Sequence, residues 1–128
     1  MNDAFGKFVR QRREELARLR GGYSVRKMAA MLDIQPSYIS KIERTEVKPP
    51  SEETIIRLAK VLEVDPDMLL ALAGKVSAEL RGIIVKRPQL FANLLRQIKE
   101  VPDHAILRVA RTIRDGNPGS QSERENKS

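Results

Sequence analysis

SVRKMAAMLDIQPSYISKIERT, residues 24–45, holds two short helical patterns with a turn between them. Ser24 is a natural N-cap, because its hydroxyl can accept from an orphan amide of the first turn. Val25, Met28, Ala29 and Leu32 then recur at helical spacing. Asp33-Ile34-Gln35 makes a tight connection, and Pro36 takes the first position of the next helix, where its missing N–H costs nothing. That helix, Pro36 to Glu43, is predicted to point Ile39 and Ile42 inward and to leave Ser37, Tyr38, Ser40 and Lys41 more exposed. Small Ala29 allows the two helices to approach, and Ile34 and Ile39 pin their angle. The pattern is a helix-turn-helix. A DNA major groove about 12 Å wide admits one α-helix, so the outward side chains at the start of the second helix would meet base edges.

Outward from this stretch the periodicity stays helical, and strand alternation is absent. Upstream, Phe5, Phe8, Val9, Leu16 and Leu19 form a stripe in a charged segment that ends at Arg20, and Gly21-Gly22 stop it. Downstream, Pro49-Pro50-Ser51 breaks the chain and caps a fourth helix through Glu63, with Ile55, Leu58, Ala59 and Leu62 as core. Asp65-Pro66 repeats the cap-then-proline signature for a short fifth helix with Met68, Leu69 and Leu72, ended by Gly74. Three more amphipathic helices are expected at Lys75–Arg87, Pro88–Glu100 and Asp103–Asp115. From Gly116 to Ser128 there is no hydrophobic residue, so a disordered tail is expected. No repeat at a fixed period is visible. The reading is all-α: a five-helix domain over residues 1–74, a helical region over 75–115 and a tail over 116–128.

Composition narrows the chemistry. The chain has 128 residues, no Cys and a single His, His104, and its aromatic content is 4%. Disulfides, thiol nucleophiles and sulfur-ligated metals are excluded, and little remains for His-based catalysis or a base-stacking platform. No catalytic residues, no metal site and no cofactor are therefore expected, and the chain reads as a non-enzyme. Met28 and Met31 read as core. Glu52-Glu53 and Asp65 with Asp67 look like paired carboxylates, but each pair sits in the first turn of a helix, where the dipole favours negative charge. No apolar run approaches the ~18 residues of a membrane span, and the basic, polar start carries no secretory apolar stretch. A soluble cytoplasmic, nucleoid-associated protein is expected.

The net charge of +7 is uneven: residues 1–48 carry 11 basic and 6 acidic side chains, residues 49–74 carry 2 and 5, and residues 75–115 carry 9 and 4. Two basic blocks thus flank an acidic one, and an anionic partner such as nucleic acid is implied.

Ser24, Met28-Ala29, Leu32, Ile34, Ser37 to Glu43, and PSEETIIRLAKVLEVDPDMLL from Pro50 to Leu70 together resemble the Cro/cI-type (XRE) helix-turn-helix repressors, with a lambda-repressor-like five-helix domain. The resemblance covers about residues 5–73. It implies a DNA-binding transcriptional regulator, a prokaryotic or phage and mobile-element repressor, that binds a double-stranded, palindromic operator as a homodimer. By position it implies Gln35, Ser37, Tyr38 and Lys41 as base readers, and Arg10, Arg26, Lys27, Ser40, Arg44 and Lys48 as phosphate contacts. Three departures stand out. The first helix is about one turn longer than usual, Val25 stands where the family often has a phosphate-bonding Gln, and Pro36 fills a frequent base-reading position without a polar side chain. Structural roles compete at several of these positions: an N-cap for Gln35, packing for Tyr38, and ion pairing of Glu43 with Arg13 or Arg44.

A single helix-turn-helix reads only a few base pairs, and two-fold dimers meet half-sites about 34 Å apart. The helices over 75–115 are the expected dimerisation region, with Phe91, Leu94, Leu95, Ile98, Ile106, Val109 and Ile113 as interface. The basic side chains there, Arg81 and Arg108 among them, would contact flanking DNA or solvate the outer face. Two alternatives stay open: that these helices fold back on the first domain, or that they bind a regulatory protein partner. The resemblance suggests a toxin, for an antitoxin-type module, or an inactivating metallopeptidase.

Overall fold

Eight α-helices make up the computed structural model, which describes residues 2–116, and no strand occurs among those residues. They are α1 (Ala4–Arg20), α2 (Val25–Leu32), α3 (Pro36–Glu43), α4 (Glu52–Leu62), α5 (Pro66–Leu72), α6 (Ala78–Lys86), α7 (Pro88–Ile98) and α8 (Asp103–Asp115). The expected tail lies outside the described residues from position 117 onward. Local chemistry sets the helix starts. Ser24 accepts from the Lys27 amide at 3.1 Å, Ser51 from the Thr54 amide at 3.3 Å, and Asp65 from the Asp67 amide at 3.0 Å. Each acceptor satisfies one amide that the helix itself cannot.

One core closes the first five helices. Phe5, Val9 and Leu16 of α1 meet Met28, Ala29 and Leu32 of α2, Ile39 and Ile42 of α3, Ile55, Leu58, Ala59 and Leu62 of α4, and Leu69 and Leu70 of α5. Two residues read as apolar face lie outside it: Leu19 is 72% exposed and Met31 is 52% exposed. Leu19 falls in the last turn of α1, where Arg20 reaches across to pair with Glu63. Phe8 and Tyr38 pack against the core without being enclosed by it.

The chain divides into two compact units that meet between Gly82 and Ile83, inside α6. The sequence places the boundary after Gly74, where the helical pattern breaks. The first turn of α6 belongs to the first unit because side chains hold it there. The Glu52 carboxylate accepts from the Ala78 amide at 2.8 Å and from Arg81 Nη2 at 3.2 Å, and Lys75 Nζ donates to the Pro50 carbonyl at 3.0 Å. Glu52 therefore does more than complement its own helix, since it also caps α6. In the second unit α7 and α8 bury no residue at all.

Candidate nucleic-acid interface

The turn between α2 and α3 depends on one backbone conformation. Asp33 takes the left-handed region, φ 55°, and the Ile34 amide then reaches back to the Ala29 carbonyl at 3.0 Å. Such a closure satisfies the last carbonyls of α2 and turns the chain sharply. Gln35 follows in extended conformation and Pro36 opens α3. The Gln35 side chain makes no capping hydrogen bond although the residue occupies the N-cap position. Its amide therefore stays available, and it is exposed, as are Ser37 and Lys41. Ser37 and Lys41, spaced four apart, lie along one face of α3, and Arg44 caps its end. Tyr38 is half-buried against the core, so its ring has a packing role, and Ser40 is half-buried as well.

On its other face α3 is anchored to α1. Glu43 is buried and accepts two bonds from Arg13, from Nε at 2.7 Å and from Nη2 at 2.9 Å. Arg13 also donates to the Tyr23 carbonyl at 3.2 Å. The bond to Glu43 raises the Arg13 guanidinium above its ordinary value. Gly6 explains how the helices come so close. A Cβ built there would lie 2.5 Å from the Ile42 carbonyl oxygen and 2.9 Å from that of Glu43. Only hydrogen fits where α1 passes the end of α3.

The cations named as phosphate contacts fall into two groups. Arg10 donates to Glu14 at 2.9 Å, and Arg44 donates to both oxygens of Glu46 at 2.8 and 3.2 Å. Arg26, Lys27 and Lys48 are exposed, and no carboxylate pairs with them among the described residues. Other arginines serve the fold. Arg12 Nε donates to the Leu62 carbonyl at 2.9 Å, Arg57 donates to the Leu32 carbonyl, and Arg81 holds Glu52. Two of these close the carbonyl ends of α4 and α2, which are otherwise orphaned.

Residues 10–69 match the family described as helix-turn-helix. This segment is an XRE-type helix-turn-helix domain. A domain of that type is a DNA-binding one. A solved structure of the SinR protein/SinI protein complex is similar to the chain at 21% identity, with a TM-score of 0.46, over 86% of this chain and 94% of that one. No curated protein matches the sequence.

The helix-turn-helix domain contains the same turn twice. Glu63 has φ 57°, and the Val64 amide reaches the Ala59 carbonyl at 3.0 Å, as Ile34 reaches Ala29 after Asp33. LDIQP and LEVDP carry the two turns, a local likeness without a longer repeat around it. Charge separates them. Helix α5 opens with Asp65 and Asp67, which phosphates would repel, whereas α3 opens with Gln35 and Ser37 and carries Lys41.

In the second unit an apolar groove of about 430 Å³ lies between α7 and α8. Leu94, Ile98, Ile106, Val109 and Ile113 of the expected interface line it, together with Val101, Ala105 and Ala110. Phe91 and Leu95 do not. The sequence signal for Gly6, Arg12, Arg57 and Glu52 was weak, because each acts on a partner far along the chain and follows no local pattern.

Proposed function

We propose that the chain is a dimeric, sequence-specific transcriptional repressor without enzymatic activity, whose helix α3 reads the major groove of an operator. The observation that carries this reading is the uncommitted face of α3. Gln35 and Lys41 point no polar group at a described partner, while Glu43 on the inner face of the same helix is tied to Arg13. Gln35 suits bidentate bonding to adenine, Lys41 suits guanine O6 and N7, and Ser37 tolerates several bases. Arg26, Lys27 and Lys48 supply phosphate contacts that position the domain and carry no sequence information. Dimerisation through the α7–α8 groove joins two recognition helices on one palindrome.

Binding to a duplex from the chain's own upstream region, against a scrambled duplex at two salt concentrations, tests the reading. A preference of about 10³-fold or more is typical of specific DNA-binding proteins, and two protomers per site would support the dimer. Equal, salt-sensitive binding to both duplexes would refute sequence-specific autorepression. Lys41→Ala is expected to flatten discrimination, while Lys48→Ala weakens all duplexes alike.

The apolar groove favours one second reading, in which it seats a helix of a regulatory protein such as a toxin or a metallopeptidase. Co-expression with the product of the neighbouring gene separates the two. A stoichiometric complex that forms in place of the homodimer supports the second reading.

A further inference from the structure

An open cleft of about 550 Å³ lies between the start of α1 and the end of α3, bordered by Lys7, Arg10, Glu14, Glu43, Arg44 and Thr45. Two arginines border it, Arg10 and Arg44, and a third, Arg13, binds Glu43 of its lining; the three are held differently. Arg13 is fixed: its side chain is 12% exposed and that of Glu43 is 5% exposed. Arg44 and Glu46 are 55% and 50% exposed, and Arg10 and Glu14 are 60% and 51% exposed. An exposed ion pair is screened by water and exchanges partners readily, whereas a buried one does not.

The Arg44 pair has a further property. Its Nε and Nη2 each donate to one carboxylate oxygen, the two-pronged arrangement by which a guanidinium also grips a phosphate. Arg44 caps the end of α3, three positions beyond Lys41, so a duplex read by the face of Ser37 and Lys41 runs past it. We propose that Glu46, and more weakly Glu14, occupy the guanidiniums of Arg44 and Arg10 as intramolecular competitors of DNA phosphate, and so hold down the affinity of the domain for DNA of any sequence. The inference rests on the DNA-binding role of the domain and adds an affinity-setting role for two acidic residues.

Competition has a consequence for specificity. A phosphate must displace Glu46 before it can take the two-pronged Nε and Nη2 edge of Arg44, so a loosely docked duplex gains little from this edge. A duplex seated on α3 by its base contacts presents the phosphate at short range and completes the exchange. In both pairs the carboxyl is held below its ordinary value, chiefly by the hydrogen bond from its arginine. The competitor is therefore charged throughout the neutral range.

The test uses the full-length chain and a mixed-sequence 30-base-pair duplex, with binding followed by fluorescence anisotropy across a salt series. Glu46→Gln is expected to raise affinity about threefold or more at low salt, near the effect of one additional phosphate contact over a fourfold change in salt. Glu79→Gln, which removes the same charge elsewhere, serves as the control and is expected to do less. In an Arg44→Ala background the gain from Glu46→Gln should fall to the level of that control. Circular dichroism and thermal unfolding of each variant confirm that the exposed substitutions leave the fold intact. A gain no larger than that of Glu79→Gln, or one that persists without Arg44, overturns the proposal and leaves DNA binding standing. Failure of the wild-type chain to bind any duplex overturns both.

Discussion

Glu43 sits where α3 could most easily have been left loose, at its last turn beside an open cleft. The two bonds from Arg13 hold it there, and removing one partner leaves the other charge buried and uncompensated. Glu43→Ala is expected to cost about 3 kcal/mol, at the low end for a buried pair because the cleft admits some water. Chemical denaturation of the variant checks the value, and a change under 1 kcal/mol would assign the pair a minor role. Gly6 is the second such point. Gly6→Ala drives a methyl into two backbone carbonyls, which cannot rotate away as a side chain could. A loss of about 1–3 kcal/mol is expected, accompanied by weaker DNA binding as α3 is pushed off α1; native-like stability would show that the helices have room to slide. Pairing of Glu43 with Arg13 is one of the readings the sequence supports, since it needs only a carboxylate on the inner face of α3 and a cation on α1. Gly6 is not legible, because a glycine within a helix looks like a mere weakness until the helix crossing it is known.

At the scale of the element, the helices with strong local punctuation are the ones the sequence places well. Pro36–Glu43 and Asp103–Asp115 coincide with α3 and α8, and the caps at Ser24, Ser51 and Asp65 form as expected. Helix α6 is different. Its expected start at Lys75 moves to Ala78, because Lys75 is drawn to the Pro50 carbonyl and Ser77 caps the new start by accepting from the Leu80 amide at 3.2 Å. The partner that fixes this start, Glu52, lies on α4, and no window of local sequence contains both. Protonation exposes the link. Hydrogen bonding from the Ala78 amide, then from Arg81, lowers the Glu52 carboxyl below its ordinary value of 4.5. A depressed carboxylate contributes stability above its unfolded value and loses it as pH falls through the lower folded one. The Ala78 amide resonance is therefore expected to titrate with a midpoint below 4.5, and Glu52→Gln should abolish that titration. A midpoint at or above 4.5 would mean that the bond is absent in solution.

Charge and apolar surface divide the labour of the whole molecule in a way that the totals conceal. The count of +7 includes Arg12, Arg13, Arg20, Arg57 and Arg81, which are spent on carbonyls and carboxylates of the fold. The first unit keeps its large apolar side chains in the core, with few exceptions, while α7 and α8 leave Leu90, Leu95, Leu107, Val109 and Ile113 more than half exposed. Two amphipathic helices with no buried residue leave most of their apolar surface in water, and contiguous patches of this kind mark association sites. The proposed homodimer covers the α7–α8 groove and gives both recognition helices to one operator. Ile113 is 70% exposed, so replacing it costs the isolated chain little. Ile113→Asp places a charge where the dimer would close and is expected to shift the sedimenting mass towards the 14.5 kDa of one chain. Helical content should be unchanged in the first unit. With each domain then binding its half-site alone, operator affinity should fall by about 10²-fold or more, the scale on which linked sites exceed single ones. Affinity for a duplex carrying one half-site should stay as it was. A variant that remains dimeric would move the self-association surface off this groove and leave the groove to a partner helix.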